Sequence, residues 1–201
     1  VERREVPKQT VTYEMLDHQI AYIRITEFDK VTVDQFADAM AMAKGSEMLG
    51  LILDLRDNPG GNLAAVIDVA RKMLPKGLVV YTEDKSGKRQ DYNCDGESEL
   101  TVPMVVLVNG GSASASEVLA GAIKDYEKGK LLGTTTFGKG IVQKYIAMSD
   151  GSAVKLTTSK YYTPKGNNIH GIGIEPDEEL EMDYERYLEE GYDNQLERAK
   201  E

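Results

Sequence analysis

The chain has 201 residues, 41% of them hydrophobic and 29% charged, and carries a formal net charge of −10, a composition typical of a globular protein with one sizeable core. Its single cysteine, Cys94, excludes an internal disulfide and any cysteine-based metal cluster, and no apolar run approaches the ~20 residues that cross a bilayer as a helix. Residues 175–201 hold twelve Asp/Glu and three Arg/Lys, so the charge is concentrated in an acidic tail; no basic stripe interleaved with aromatics supports nucleic-acid binding.

The opening Val1-Glu2-Arg3-Arg4-Glu5 is too charged for a signal peptide. Thr10–Leu16 and Ile20–Thr26 then read as two strands joined at Asp17-His18-Gln19, with Tyr22, Arg24 and Thr26 alternating against Ala21, Ile23 and Ile25. A helix is expected from Thr32, where Thr32-Val33-Asp34-Gln35 fits a capping box. Leu49–Leu55 is a buried strand stopped by Arg56-Asp57-Asn58-Pro59-Gly60-Gly61, and a helix follows with Asn62 as its N-cap. Gly77–Thr82 resumes strand character before a polar turn at Lys85–Gly87, and Cys94 falls in a polar stretch. Met104–Val108 is the most apolar strand. The serine-rich turn Gly110–Glu117 and a helix from about Ser116 to Glu127 come next. Lys130–Thr135 and Ile141–Ala147 flank Phe137-Gly138-Lys139-Gly140, Ala153–Tyr162 is a long strand, and Asp183–Glu190 and Asp193–Lys200 read as acidic, peripheral helices. Alternating strands and helices argue for an α/β domain with a partly parallel sheet.

The chemistry is concentrated in two turns. Ser114 lies where a strand ends and a helix begins, so that unpaired N–H groups and the helix dipole favour negative charge beside it. The N–H of Ala115 could donate to an oxyanion there, and the Asn58-Pro59-Gly60-Gly61 turn, which also follows a buried strand, supplies candidates for a second donor. A serine hydroxyl needs a base, and a lysine serves as one when burial or nearby positive charge holds it neutral. Lys139, 25 residues after Ser114, sits among glycines with Phe137, Ile141 and Val142 as apolar neighbours, and Gln143 could orient its amine. Helix capping by the serines and a surface turn at Lys139 account for the same residues. His18 and His170 lie in turns and make poor bases, and no metal, P-loop or dinucleotide motif occurs.

Together Leu53–Gly61, Ser112–Glu117 and Thr136–Gln143 resemble the C-terminal processing peptidases, the tail-specific or S41-type proteases; Tyr161–Gly166 and Gly173–Asp177 are similar to later blocks of that family. The resemblance implies a ClpP/crotonase-like α/β core of ββα units with an added β-hairpin region. It also implies a Ser/Lys endopeptidase with Ser114 as nucleophile, Lys139 as general base and Gln143 completing the arrangement. Ala115 and Gly60 would form the oxyanion hole, with Glu117, Asp125, Asp54 and Arg56 as supports, and no metal or organic cofactor is needed. The implied partners are protein or peptide substrates bound in extended form, homo-oligomers are allowed, and the place of work is extracytoplasmic, in a bacterial periplasm or at the cell surface. The organisation so read is residues 1–9 as the remnant of a preceding PDZ-domain strand, 10–180 as the catalytic core and 181–201 as an acidic helical tail. The PDZ domain that usually captures substrate C-termini is then absent from this sequence, either cut away or naturally missing. A non-catalytic peptide-binding module and an acyl-CoA enzyme on the same fold are the competing readings.

Overall fold

A computed structural model of the chain describes residues 8–201. The reading of Val1–Val6 as the last strand of a preceding domain lies outside the described residues. Two antiparallel strands, β1 (Val11–Leu16) and β2 (Ile20–Ile25), enter the fold. After helix α1 (Lys30–Gly45) comes β3 (Gly50–Asp54), and after α2 (Leu63–Arg71) the hairpin of β4 (Gly77–Asp84) and β5 (Arg89–Cys94). Strand β6 (Met104–Val108), α3 (Ala115–Asp125) and β7 (Lys130–Gly133) complete the centre; β8 (Ile141–Ala147) and β9 (Ala153–Tyr162) form a second hairpin. The short strand β10 (Glu178–Glu179) and helices α4 (Tyr184–Glu190) and α5 (Asn194–Ala199) close the chain.

One sheet has six strands in the order β1-β2-β3-β6-β7-β10, parallel from β2 onward, and a second has four antiparallel strands, β5-β4-β9-β8. The central parallel strands β3, β6 and β7 are buried on both faces, which is why they read as nearly continuous apolar runs. Ala21, Ile23, Ile25, Leu51, Leu53, Val106 and Val108 face the helices α1–α3 and the main core, while the alternate positions Ile52, Leu107 and Leu132 face the opposite side. The C-terminal helix covers that second face: Leu196 and Ala199 of α5 join Ile52, Leu107 and Leu132, and Gln195 is 1% exposed. The last helix is therefore not peripheral. Its acidic residues lie on the solvent side of an amphipathic element.

Helix α1 starts two residues before the expected position. Asp29 is its N-cap, accepting from Lys30 N at 2.6 Å, and the Thr32 hydroxyl accepts from Asp29 N at 2.9 Å, so Thr32 is the third helical residue of the capping box. The polar segment around Cys94 is strand β5, whose exposed edge position leaves no alternating apolar pattern. Cys94 itself is 5% exposed, and burial pushes its thiol from about 9 up to about 11. Unfolding thus releases this proton between those values, and the stability it represents is intact below pH 9 and lost as pH rises towards 11. Iodoacetamide at pH 8 should alkylate the folded protein about 100-fold more slowly than the urea-unfolded chain; equal rates would contradict the burial.

Candidate active site

Strands β3, β6 and β7 are neighbours and parallel, so the turns at their carboxyl ends emerge on one edge of the sheet. These turns are Leu55–Gly61, Asn109–Ser114 and Thr134–Gly140. Asn58, fully buried, knits the first to the second. Its amide donates to Ile25 O at 2.9 Å and accepts from Gly60 N at 2.9 Å, and its carbonyl accepts from Ala113 N and the Ser116 hydroxyl, both at 2.9 Å. Gly60 has φ +98°, and a Cβ there would lie 2.6 Å from Ala113 O and 2.8 Å from both Ala115 N and Ser114 Cβ. The backbone of the first turn therefore lies directly against the serine turn, closer than any side chain permits.

The three serines have different environments. The Ser112 hydroxyl donates to Leu55 O at 2.8 Å and accepts from Asn109 N at 3.0 Å, while Ser116 is fully buried and committed to Asn58 O. Ser114 alone is only half-buried, and it holds φ 55°, ψ −110° at the start of α3. Such a conformation costs a non-glycine residue on the order of 1–3 kcal/mol and persists only where the surroundings enforce it. The N–H of Ala115 lies in the first turn of α3, where no intrahelical acceptor is available.

Glu117 joins this turn to the third one. Its side chain is buried with the residue 0% exposed, and its Oε2 accepts from Ser114 N and Lys139 N, both at 2.8 Å. Oε1 accepts from Gly138 N at 2.6 Å and the Thr136 hydroxyl at 2.7 Å. Thr136 Oγ1 in turn accepts from Ile174 N at 2.7 Å, and Phe137 N donates to Ser112 O at 3.0 Å. One carboxylate thus fastens the backbones of Ser114 and Lys139 to the same point.

The side chains of the expected site are less closely assembled than the backbones. Among the described residues no hydrogen bond joins Lys139 Nζ to Ser114 Oγ and no ion pair engages Lys139. Gln143 Nε2 instead points to Thr157 Oγ1 at 3.5 Å, where an irregularity in the β8–β9 pairing follows Val142. Phe137 is 65% exposed and does not enclose the lysine, whereas Ile141 and Val142 are half-buried. Gly60 N–H is already given to Asn58 Oδ1, so of the two expected oxyanion donors only Ala115 is uncommitted. Gly61, the next residue and exposed, carries an amide with no recorded acceptor among the described residues.

Asp125 lies at the far end of α3, about 16 Å from Ser114 by helix rise, and secures Lys165 N at 2.7 Å, so it supports the turn after β9 and not the site. Asp54 and Arg56 lie beneath the first turn as a buried pair, with Tyr22 OH donating to Asp54 Oδ2 at 2.7 Å and Arg56 Nη2 to the same oxygen at 2.6 Å. Burial opposes the Arg56 charge, yet Asp54 and Asp193 hold its guanidinium above its ordinary range; burial first and Asp54 second push the Tyr22 hydroxyl up. Asn58, Thr136, Asp193 and Gln195 were not singled out from the sequence. Asn58 is the only one with a local signal, its place in an Asn-Pro turn. A cavity of about 740 Å³ between the sheet and the C-terminal segment, lined by Tyr22, Arg24, Asp57, Tyr184 and Tyr187, holds none of Ser114, Lys139 and Gln143.

Residues 19–180 match the model of peptidase family S41. The chain is 44% identical over 163 residues to a carboxyl-terminal-processing protease of Synechocystis, covering 81% of this chain and 38% of that protein. It is 39% identical over 183 residues to the carboxy-terminal processing protease CtpA of Bacillus subtilis, covering 90% and 39%. The solved photosystem II D1 C-terminal processing protease superposes with a TM-score of 0.80 at 38% identity, over 89% of this chain and 50% of that one. Tricorn protease, at TM-score 0.55 and 23% identity over 90% of this chain and 17% of that one, shares the fold. The ClpP/crotonase-like α/β core is therefore the architecture of this chain, which spans less than half the length of the two curated relatives described.

Proposed function

This chain belongs to peptidase family S41, and from that premise we propose that it carries the catalytic centre of a serine endopeptidase that cuts proteins from or near their C-termini. The observation that carries the reading is the Glu117 carboxylate, which holds the backbones of Ser114 and Lys139 to one point. The Lys139 amine takes the proton of Ser114 as the serine oxygen attacks the scissile carbonyl. Ala115 N–H and an amide of the Gly60–Gly61 pair donate to the oxyanion. Lys139 then protonates the leaving amine and, on the return path, activates the water that hydrolyses the acyl-enzyme. Because Lys139 and Ser114 are not hydrogen-bonded in this structure, the amine swings onto the hydroxyl when substrate fills the site, and Gln143 turns from Thr157 to hold it.

The partner in this scheme is an extended polypeptide. Strand β8 is an edge of the four-stranded sheet and starts two residues after Lys139, so its outer N–H and C=O groups lie where a substrate strand can pair. Extracytoplasmic work belongs to the same proposal, and cell fractionation tests it.

A peptide bearing an unstructured C-terminal tail should be cleaved by the parent and not by Ser114→Ala. Ser112→Ala and Ser116→Ala should keep part of the activity and lose stability instead, by about 0.5–1.5 kcal/mol each, because each deletes a buried hydrogen bond to a carbonyl that keeps a backbone donor. Unimpaired cleavage by Ser114→Ala would overturn the reading; a parent that binds the peptide without turnover would favour a non-catalytic peptide-binding module.

A further inference from the structure

The turn that packs against Ser114 holds a non-glycine residue in the left-handed region, Asp57 at φ 59°, ahead of Gly60 at φ 98° and Gly61 at φ 139°, values that glycine adopts freely. It needs anchors on both sides. On the β6 side, Asn109 exchanges two hydrogen bonds with Asp57, at 2.9 Å and 3.0 Å. On the β3 side the anchor is Arg56, the residue immediately before the turn, whose guanidinium is too buried to use water in place of a protein partner. Half of its bonds come from Asp54 within β3. The other half come from α5: Arg56 Nη1 donates to Asp193 Oδ1 and Gln195 Oε1, both at 3.0 Å, and Nη2 reaches Asp193 Oδ2 at 2.8 Å.

Asp193 and Gln195 are themselves held in place. Asp193 caps α5 through Leu196 N at 2.9 Å, and Gln195 Nε2 donates to Leu180 O at 2.6 Å. Asn194 between them bonds Glu181 O and Asp183 N, both at 2.9 Å. Leu180 N continues the line to Gly133 O at 2.8 Å, at the end of β7. The clamp is built from residues beyond position 180, where the family match ends.

We propose that Asp193 and Gln195 are positioning residues for the reaction: by gripping Arg56 they keep the Asp57–Gly61 turn seated against Ser114 and Ala115. The C-terminal helix thereby takes part in holding the oxyanion site, although it contributes no group that touches substrate. This inference rests on the proposed peptidase reading for its kinetic consequences. Its structural consequence, a loosened turn when the clamp is cut, does not depend on that reading.

The test compares Asp193→Asn, Gln195→Ala and the conservative Asp193→Glu with the parent. Amide hydrogen exchange is read over residues 57–61 and over β2 as a control, and kcat and KM are measured on a tailed peptide. Exchange over 57–61 should accelerate about tenfold or more in Asp193→Asn while β2 stays as in the parent. The kcat should fall about tenfold or more with KM changed less than about twofold, and Asp193→Glu should recover part of the loss. Parent-like exchange over 57–61 in both Asp193→Asn and Gln195→Ala would overturn the inference, as would an unchanged kcat in an active protein. If Asp193→Asn unfolds, so that β2 exchanges equally fast, Gln195→Ala, which leaves both carboxylates on Arg56, decides by the same readings. A parent with no peptidase activity sinks the proposed function alone, and the exchange data then judge the clamp.

Discussion

Alanine at Lys139 is expected to lower kcat/KM on a tailed peptide by about 10²–10⁴-fold, the contribution of a positioned general acid–base group. The fold should tolerate the change. The lysine holds its turn through its backbone, with Lys139 N on Glu117 Oε2, and its amine has no ion pair to lose among the described residues. The melting temperature should therefore stay close to that of the parent, so the loss can be assigned to chemistry. Lys139→Arg should be equally inactive, because a guanidinium keeps its proton at any pH a protein survives and cannot accept one from Ser114. Steady-state kinetics of the two variants beside the parent check this. An active Lys139→Ala would mean that another group deprotonates the serine, and His18 and His170, both exposed turn residues, offer no ready substitute.

Glu117→Ala is the second large effect, and it acts on stability and activity together. It strips the acceptor from three backbone amides and the Thr136 hydroxyl. Ser114 and Lys139 are half-buried and find water, but Gly138 and Thr136 are buried. At about 1–3 kcal/mol for each buried donor left unpaired, the loss is roughly 3 kcal/mol, equivalent to a drop of roughly 6–12 °C in Tm for a chain of this size. Glu117→Gln should not rescue it. Each carboxylate oxygen accepts from two donors, so an amide nitrogen in either place meets two N–H or O–H groups as a donor itself. Differential scanning calorimetry of both variants tests this, and a Tm within a degree or two of the parent would show that Glu117 is not the fastening point.

Much of the frame was legible because local rules and the fold agree. Ala21, Ile23 and Ile25 alternate and are buried, Asn62 caps α2 through Ala64 N and Ala65 N, and the loops after β3, β6 and β7 carry glycine or asparagine where the chain turns back. Strand β5 was not legible, since an exposed edge needs no apolar alternation and Arg89-Gln90-Asp91 shows none. The start of α1 was misread because Asp29 and Thr32 both have capping side chains, and only geometry separates the cap from its third residue.

At the site, the 25-residue spacing, Gln143 and the Asn-Pro-Gly-Gly turn single out Ser114 and Lys139 from the sequence, and the structure adds that the Ser112 and Ser116 hydroxyls are given to the buried carbonyls of Leu55 and Asn58. Gln143 reads as a partner of the lysine by its place four residues on and by the family resemblance, and the pairing irregularity after Val142, which carries its amide towards Thr157, leaves no trace in the sequence. Asp125 shares a helix with Ala115 yet stands at its other end. The Arg56–Asp193 contact joins positions 137 apart in sequence, and the acidic surroundings of Asp193 made it look like one more solvated charge. Long-range polar contacts of this kind leave no periodic trace.

The central claim is that Ser114, and neither of its serine neighbours, is the nucleophile. A fluorophosphonate reagent followed by peptide mass mapping tests it most directly. The account predicts a single covalent adduct on Ser114, formed much more slowly in Lys139→Ala; an adduct on Ser112 or Ser116, or labelling of Ser114 at the same rate without Lys139, would contradict it.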